Sequence, residues 1–337
     1  MSLMVRFVLP AESDNPGLDK LCSALKETVP DYAELPESTQ IAELPHLLLV
    51  PVEYPIKTAL IEQSWNNWIN KGMGTVLRLS DGKIVSRIIP VSMRPGTKAS
   101  AELKFYLDGA DDPVVVVGDD DSQDRRAFLT LLTDMLSVSM PGSTSKPDLD
   151  AFESYIRRRF KTDFPPLSYH NPDHIQDVYV SALRIADSEG IDEEGKNLLR
   201  VATLLHDAGF IHTSMNHEKR GAEMAACVLP VFGFSSSQIS IVQEMIIATK
   251  VPQSPISHLD RIICDADLDY LGRDDFYSIG GKLYIELLAI GVVKDEKSWN
   301  MLQKKFLEAH RYHTNFSKAN REPEKQKRLK EIISLVG

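Results

Sequence analysis

Apolar positions recur along this chain with two different periods. In the first part, short apolar runs alternate with helix-spaced segments. Residues 4–9 and 47–52 read as strands. Leu18, Leu21, Cys22, Leu25 and Val29 recur at helical spacing, as do Ile56, Leu60, Ile61, Trp65, Trp68 and Ile69. Residues 75–79 and 84–91 flank Ser80-Asp-Gly-Lys, a hairpin signal. Further strands are expected at 103–107 and 113–117, then a helix over about 122–138. This mixture predicts an α+β or α/β domain over residues 1–145.

Pro, Gly, Ser and Thr cluster at residues 139–149, which reads as a linker. Beyond it the pattern is helical almost throughout. Asn171 and Pro172 make an N-cap and first helical residue, followed by Ile175, Val178, Tyr179, Ala182, Leu183 and Ala186 on one face. A second helix starts at Asp192, has Glu193 and Glu194 in its first turn, and runs to Asp207 before Gly209. Helices are also expected at 217–229, 237–249, 256–270, 276–290, 296–310 and 322–335. Residues 150–337 are therefore expected to form an all-α second domain.

Composition narrows the possibilities. The 337 residues are 43% hydrophobic and 26% charged, which suits an ordinary soluble fold. The longest apolar runs are too short to span a bilayer, and no signal-peptide pattern opens the chain. A net charge of −10 makes nucleic acid and anionic membranes poor partners. The three cysteines are scattered, which fits a reducing cytoplasm and no disulfide framework. A bound metal must be held by histidine and carboxylate.

Chemistry is carried by polar groups on apolar helices. His206 and Asp207 follow Leu204-Leu205 at the end of a helix that reads as buried. Asp267 lies one turn beyond Ile263 on an apolar face, and His174 sits in the first turn of its own helix. A buried carboxylate needs a cation or donors. Two imidazoles and two carboxylates pointing into a bundle are a standard metal site, suited to Mn, Fe, Co, Ni or Zn, or to Mg. Any one of these residues alone is an ordinary core or surface group, and the ordered set is what points to metal. Val114 to Asp121, VVVVGDDD, is similar to the opening of a response-regulator receiver domain. Only about thirty residues follow it before the linker, too few for that fold, so it reads as a strand ending in a solvated acidic turn.

The motifs together resemble the HD superfamily. Tyr169-His-Asn-Pro-Asp-His-Ile-Gln-Asp-Val178 is similar to its first motif and to the matching segment of cyclic-nucleotide phosphodiesterases. Leu204-Leu-His-Asp-Ala-Gly209 is similar to the defining motif, His217-Glu-Lys-Arg-Gly-Ala222 to the helix after it, and Cys264-Asp-Ala-Asp-Leu-Asp-Tyr-Leu-Gly272 to the closing motif. The tail from Phe306 to Thr314 and the basic helix after Glu322 resemble a bacterial family of HD phosphohydrolases.

The resemblance implies an HD/PDEase-like helical bundle in which His174, His206, Asp207 and Asp267 hold one divalent metal. It implies catalytic roles for His170, as proton donor to the leaving group, and for Asp207. His217 and Glu218 would serve a weaker second metal or the substrate. A further histidine is expected near Thr249 in dinuclear members, and none is there. Arg273 and Arg311 are candidates to meet a phosphate. Gln303-Lys-Lys-Phe306 has the Gln-x-x-Phe form of the phosphodiesterase purine clamp, a short pattern that coincidence explains. The expected activity is a phosphohydrolase acting on a nucleotide or similar small phosphate ester, in a cytoplasmic protein compatible with a homodimer. The alternatives are a ligand-sensing signalling module, with the first domain sensory or regulatory, and a dinuclear-iron oxygenase.

Overall fold

The computed structural model describes residues 4–9, 16–29, 31–36, 45–52, 59–92, 103, 106–107, 115–116, 123–137 and 146–336. The chain divides into two compact units, Met1–Pro147 with Ala226–Ser236, and Asp148–Ala225 with Ser237–Gly337.

The first unit contains seven described strands: β1 (Val5–Leu9), β2 (Tyr32–Pro36), β3 (Leu47–Pro51), β4 (Val76–Arg78), β5 (Ile84–Ser86), β6 (Ile88–Ser92) and β7 (Val115–Val116). Five form a parallel sheet in the order β2-β1-β3-β6-β7. This makes the unit α/β. All five residues of β3 are buried, as expected of a parallel strand covered on both faces. Phe128, Leu132 and Met135, from the Gln123–Ser137 helix, share a core with Val5, Phe7, Leu21 and Leu25.

Two expectations need correction. The apolar run at 84–91 is two strands: β5 closes an antiparallel hairpin with β4, and β6 joins the parallel sheet. The break falls at Arg87, fully buried, which donates to the carbonyls of Gly74 and His46. Leu103 and Tyr106 are helical, where a strand is expected. Leu103, Tyr106 and Leu107 stand at i, i+3 and i+4, which is helical spacing. Apart from Val115 and Val116, the VVVVGDDD segment lies outside the described residues, as does most of the expected linker.

The second unit has no strand among its described residues. Its helices are Leu149–Asp163, Pro172–Ser188, Glu193–Leu205, His217–Val228 (whose last turn belongs to the first unit), Ser236–Ala248, His258–Asp267, Phe276–Ala289, Glu296–Ala309, Asn315–Asn320 and Glu322–Val336. Pro172–Ser188 packs against both Glu193–Leu205 and His258–Asp267. Caps set these elements. Asp192 accepts from the Gly195 N–H, and Ser257 and Asp260 form a capping box. Further along, Tyr270, Leu271, Phe276, Leu307, Tyr312 and Ile332 build a second core. No helix among the described residues is long and apolar enough to cross a membrane.

Candidate metal centre

Three helix ends converge on one point. Asn171 accepts from the Asp173 and His174 N–H groups and so starts the Pro172–Ser188 helix with His174 in its first turn. Glu193–Leu205 ends at His206, and Asp207 opens a 3-10 turn, Ala208–Ile211. Asp267 is the last residue of His258–Asp267. His174 Nε2 lies 3.2 Å from Asp267 Oδ1 and 3.5 Å from Asp207 Oδ2. His206 Nε2 lies 3.4 Å from Asp207 Oδ2 and 3.6 Å from Asp267 Oδ1.

The donor atoms are arranged for a cation. His206 Nδ1 stands 2.8 Å from the Thr203 carbonyl oxygen. A carbonyl only accepts, so Nδ1 carries a proton, and Nε2 is the ring atom that faces the cluster and would offer its lone pair to a cation. Both His206 Nε2 and Asp207 Oδ2 are buried without a hydrogen-bond partner. Burying such groups unpaired is costly, and one divalent ion would satisfy both. His174, His206 and Asp207 offer ligand atoms all within 4.8 Å of one another. Burial opposes the charge of Asp207, yet the neighbouring imidazoles, His206 first, hold its pKa well below the usual carboxylate range. Asp267 is likewise held down, at about 2, by His174 and His206 against its burial. Burial would lower the pKa of His206, but the two carboxylates raise it well above the ordinary value. A cation would take the place of those imidazole protons.

Asp207 also faces a second side. Its Oδ1 lies 3.4 Å from His217 Nε2, which is 3.5 Å from Glu218 Oε1. The approach depends on Gly209. A Cβ there would lie 2.0 Å from the His217 carbonyl oxygen, and one at Gly221 would lie 2.4 Å from that of Leu205. The His206–Asp207 turn and the His217 helix therefore touch backbone to backbone.

His170 belongs to this site through a residue that sequence reasoning missed. Its Nδ1 meets Glu286 Oε1 at 2.5 Å, while Glu286 Oε2 accepts from the Tyr169 and His170 N–H groups. One carboxylate thus fixes both the loop and the ring. Burial works to lower the His170 pKa, but the hydrogen bond to Glu286 and the nearby Asp207 raise it. The ring stacks on Phe210 at 4.5 Å, and Phe210 on His217 at 4.1 Å.

The cluster opens into a cavity of about 580 Å³ whose lining includes His170, Asp207, His217, Glu218, Thr249 and Asp267. Leu283, Leu287, Trp299, Leu302, Gln303 and Phe306 line it as well. Gln303 and Phe306, read above as coincidence, therefore share the cavity wall. Gln303 donates to Asn300 Oδ1.

Arg273 and Arg311 are not among the lining residues. Arg273 pairs with Asp177, Asp269 and Asp275, and Arg311 donates to the carbonyls of Glu308 and His310. Two more acids near Asp267 face elsewhere. Asp265 accepts from the His313 and Thr314 N–H groups, and fully buried Asp269 accepts from Arg184 at 2.6 Å, Arg321 at 2.8 Å and Arg273 at 3.3 Å.

Comparison with known proteins bears on this geometry. Residues 173–269 match the family model of the HD domain. The match spans His174, His206, Asp207, His217 and Asp267, and leaves His170 and Glu286 outside. None of the curated proteins compared matches the chain. A crystal structure of a predicted HD superfamily hydrolase from an uncultured Thermotogales bacterium is 25% identical over 56% of this chain and 90% of its own, with a TM-score of 0.36.

Proposed function

We propose, from the premise that residues 173–269 of this chain belong to the HD domain family, that the protein is a metal-dependent phosphohydrolase cleaving a small phosphate ester. A nucleotide is one candidate substrate. The observation that carries this reading is the pair of buried ligand atoms without a hydrogen-bond partner, His206 Nε2 and Asp207 Oδ2, in a cluster whose Asp207 and Asp267 line a cavity.

His174, His206, Asp207 and Asp267 would hold the cation through two imidazole nitrogens and two carboxylate oxygens. Such an ion supplies a water of lowered pKa and a Lewis acid for a phosphoryl oxygen. His170 reaches the cavity next to this cluster, and the upward shift of its pKa, set by Glu286 and Asp207 against burial, favours the protonated form that a proton donor to the leaving oxygen needs. Glu286 is a positioning residue: it holds His170 through Nδ1 and leaves Nε2 for the substrate. The stacked Phe210 limits the ring's rotation.

A second reading has two cations sharing Asp207, because Oδ1 faces His217, itself beside Glu218, while Oδ2 faces His174 and His206. Metal analysis of protein purified without added metal or chelator separates the two, at about one or about two ions per chain. The phosphohydrolase reading is tested with a panel of phosphomonoesters and diesters after loading with Mn, Ni, Fe or Zn. His170→Ala should retain the metal and slow turnover by roughly 10²–10⁴-fold, the range for a lost general acid. No turnover of any ester by fully loaded protein would sink the reading.

A further inference from the structure

The cavity that opens from the metal cluster is amphipathic. Its polar lining side chains belong to His170, Asp207 and Asp267, to residues 214–218 and 249–250, and to Tyr169 and Tyr270. On the wall carried by residues 276–307, Gln303 is the sole polar side chain among the lining residues apart from the Trp299 indole N–H, and its amide already donates to Asn300. The rest of that wall is Phe276, Leu283, Leu287, Val292, Leu302, Phe306 and Leu307. Apolar character continues to the rim, where Met215 is 77%, Val292 58% and Val251 56% exposed.

Charge is distributed as unevenly. Lys250 is the only lysine or arginine among the lining residues, and its Nζ is bonded to Asn216 Oδ1 at 3.0 Å. Asp207, Glu218 and Asp267 line the same cavity. A polyphosphate chain would find one cationic side chain and three carboxylates. A single phosphoryl group at the cluster would need no more than the cation held there.

Resting on the phosphohydrolase reading, we propose that the substrate is a soluble amphiphile: one phosphoryl group esterified to a bulky apolar alcohol, whose hydrocarbon part lies along the 276–307 wall. A volume of about 580 Å³ suits a ligand of that kind and is within the usual range for small-molecule sites. Water leaves the leucine and aromatic wall when the hydrocarbon enters, and that burial drives binding. The acidity of the chain, −10 overall, disfavours capture of the same chemistry from an anionic bilayer.

The experiment is calorimetric titration of the full chain, Mn-loaded and metal-free, with methyl-, butyl-, hexyl- and octylphosphonate and with ATP. Turnover of octyl phosphate and ethyl phosphate is assayed in parallel. Affinity should rise about three- to fourfold per added methylene, with octylphosphonate binding far more tightly than ATP. Leu302→Glu should flatten that dependence, and Val292→Glu at the exposed rim should weaken it if the first variant fails to fold. A flat chain-length series, tighter binding of ATP, or turnover confined to phosphatidate in phosphatidylcholine vesicles would overturn the proposal. Steep chain-length dependence without turnover of any ester would retain the ligand class and remove the hydrolase reading. Equal turnover of ethyl and octyl phosphate would do the reverse.

Discussion

Two clusters of buried charge lie in the helical unit, and they are completed differently. Around Asp269 every formal charge finds a protein partner: Arg184, Arg273 and Arg321 all reach one carboxylate, and Asp177 and Asp275 take up the rest of Arg273. Around Asp207 and His206 the protein leaves two ligand atoms unpartnered. The first arrangement is closed by its own side chains and holds helices together. The second asks for something from outside the chain. Buried charge by itself therefore says little about function, and the informative quantity is what remains unsatisfied.

Substitutions can separate the two clusters. Asp207→Ala should have the largest effect on function, taking metal content to background and activity to the uncatalysed rate. The metal-free protein should lose only about 1 kcal/mol or less, because the imidazoles can release their protons. A metal-free melting temperature that collapses in this variant would make the cluster a structural one. Asp269→Ala should do the opposite. It takes from Arg184 and Arg321 the carboxylate they share while Arg273 keeps Asp177 and Asp275, and should destabilise the unit by about 1.5–3 kcal/mol in chemical denaturation, the range for hydrogen bonds to charged groups. Metal content per folded chain should be unchanged.

The smallest effect is expected at the contact between Glu286 and His170. Glu286→Gln should keep the metal and lower kcat modestly while moving the alkaline limb of the pH–rate profile to lower pH. The sign follows from the two groups. The His170 pKa is raised from the ordinary 6.5 against its burial, and removing the Glu286 charge takes away the largest effect that raises it, leaving Asp207 and Asp267 to oppose burial. Glu286 is held below 4.5, with burial opposing and the His170 contact prevailing. The pair's stabilisation is fully present between those ordinary values. It is lost as pH rises through the folded His170 pKa or falls through that of Glu286. An alkaline limb that does not move would detach Glu286 from the chemistry.

Much of the site was legible because its residues are placed by local rules. His174 follows an N-cap and Asp207 a buried helix end, while Asp267 closes a capped helix whose apolar face is evident in the spacing. Glu286 was not read, although it carries the same kind of signal, a carboxylate between Leu283 and Leu287 on an apolar helix. Its partner lies 116 residues away, and no local rule pairs them. The cavity wall escaped for the same reason, since it takes tertiary packing to bring Gln303 and Phe306 into one cavity with Asp207 and Asp267. In the first unit, periodicity found most strands and helices. It could not tell that one apolar run changes partner at Arg87, since both halves have the same β pattern and only pairing distinguishes them.

The contact at Gly209 has a consequence for how this site could change over time. Because the turn bearing Asp207 and the helix bearing His217 meet main chain to main chain, their separation is not adjustable by exchanging side chains between them. Natural variation or laboratory selection can alter what the cavity admits, residue by residue, along the 276–307 wall. The spacing between the two faces of Asp207 would shift only with a wholesale movement of both elements. Specificity can drift in such a protein while the geometry of its chemistry stays locked.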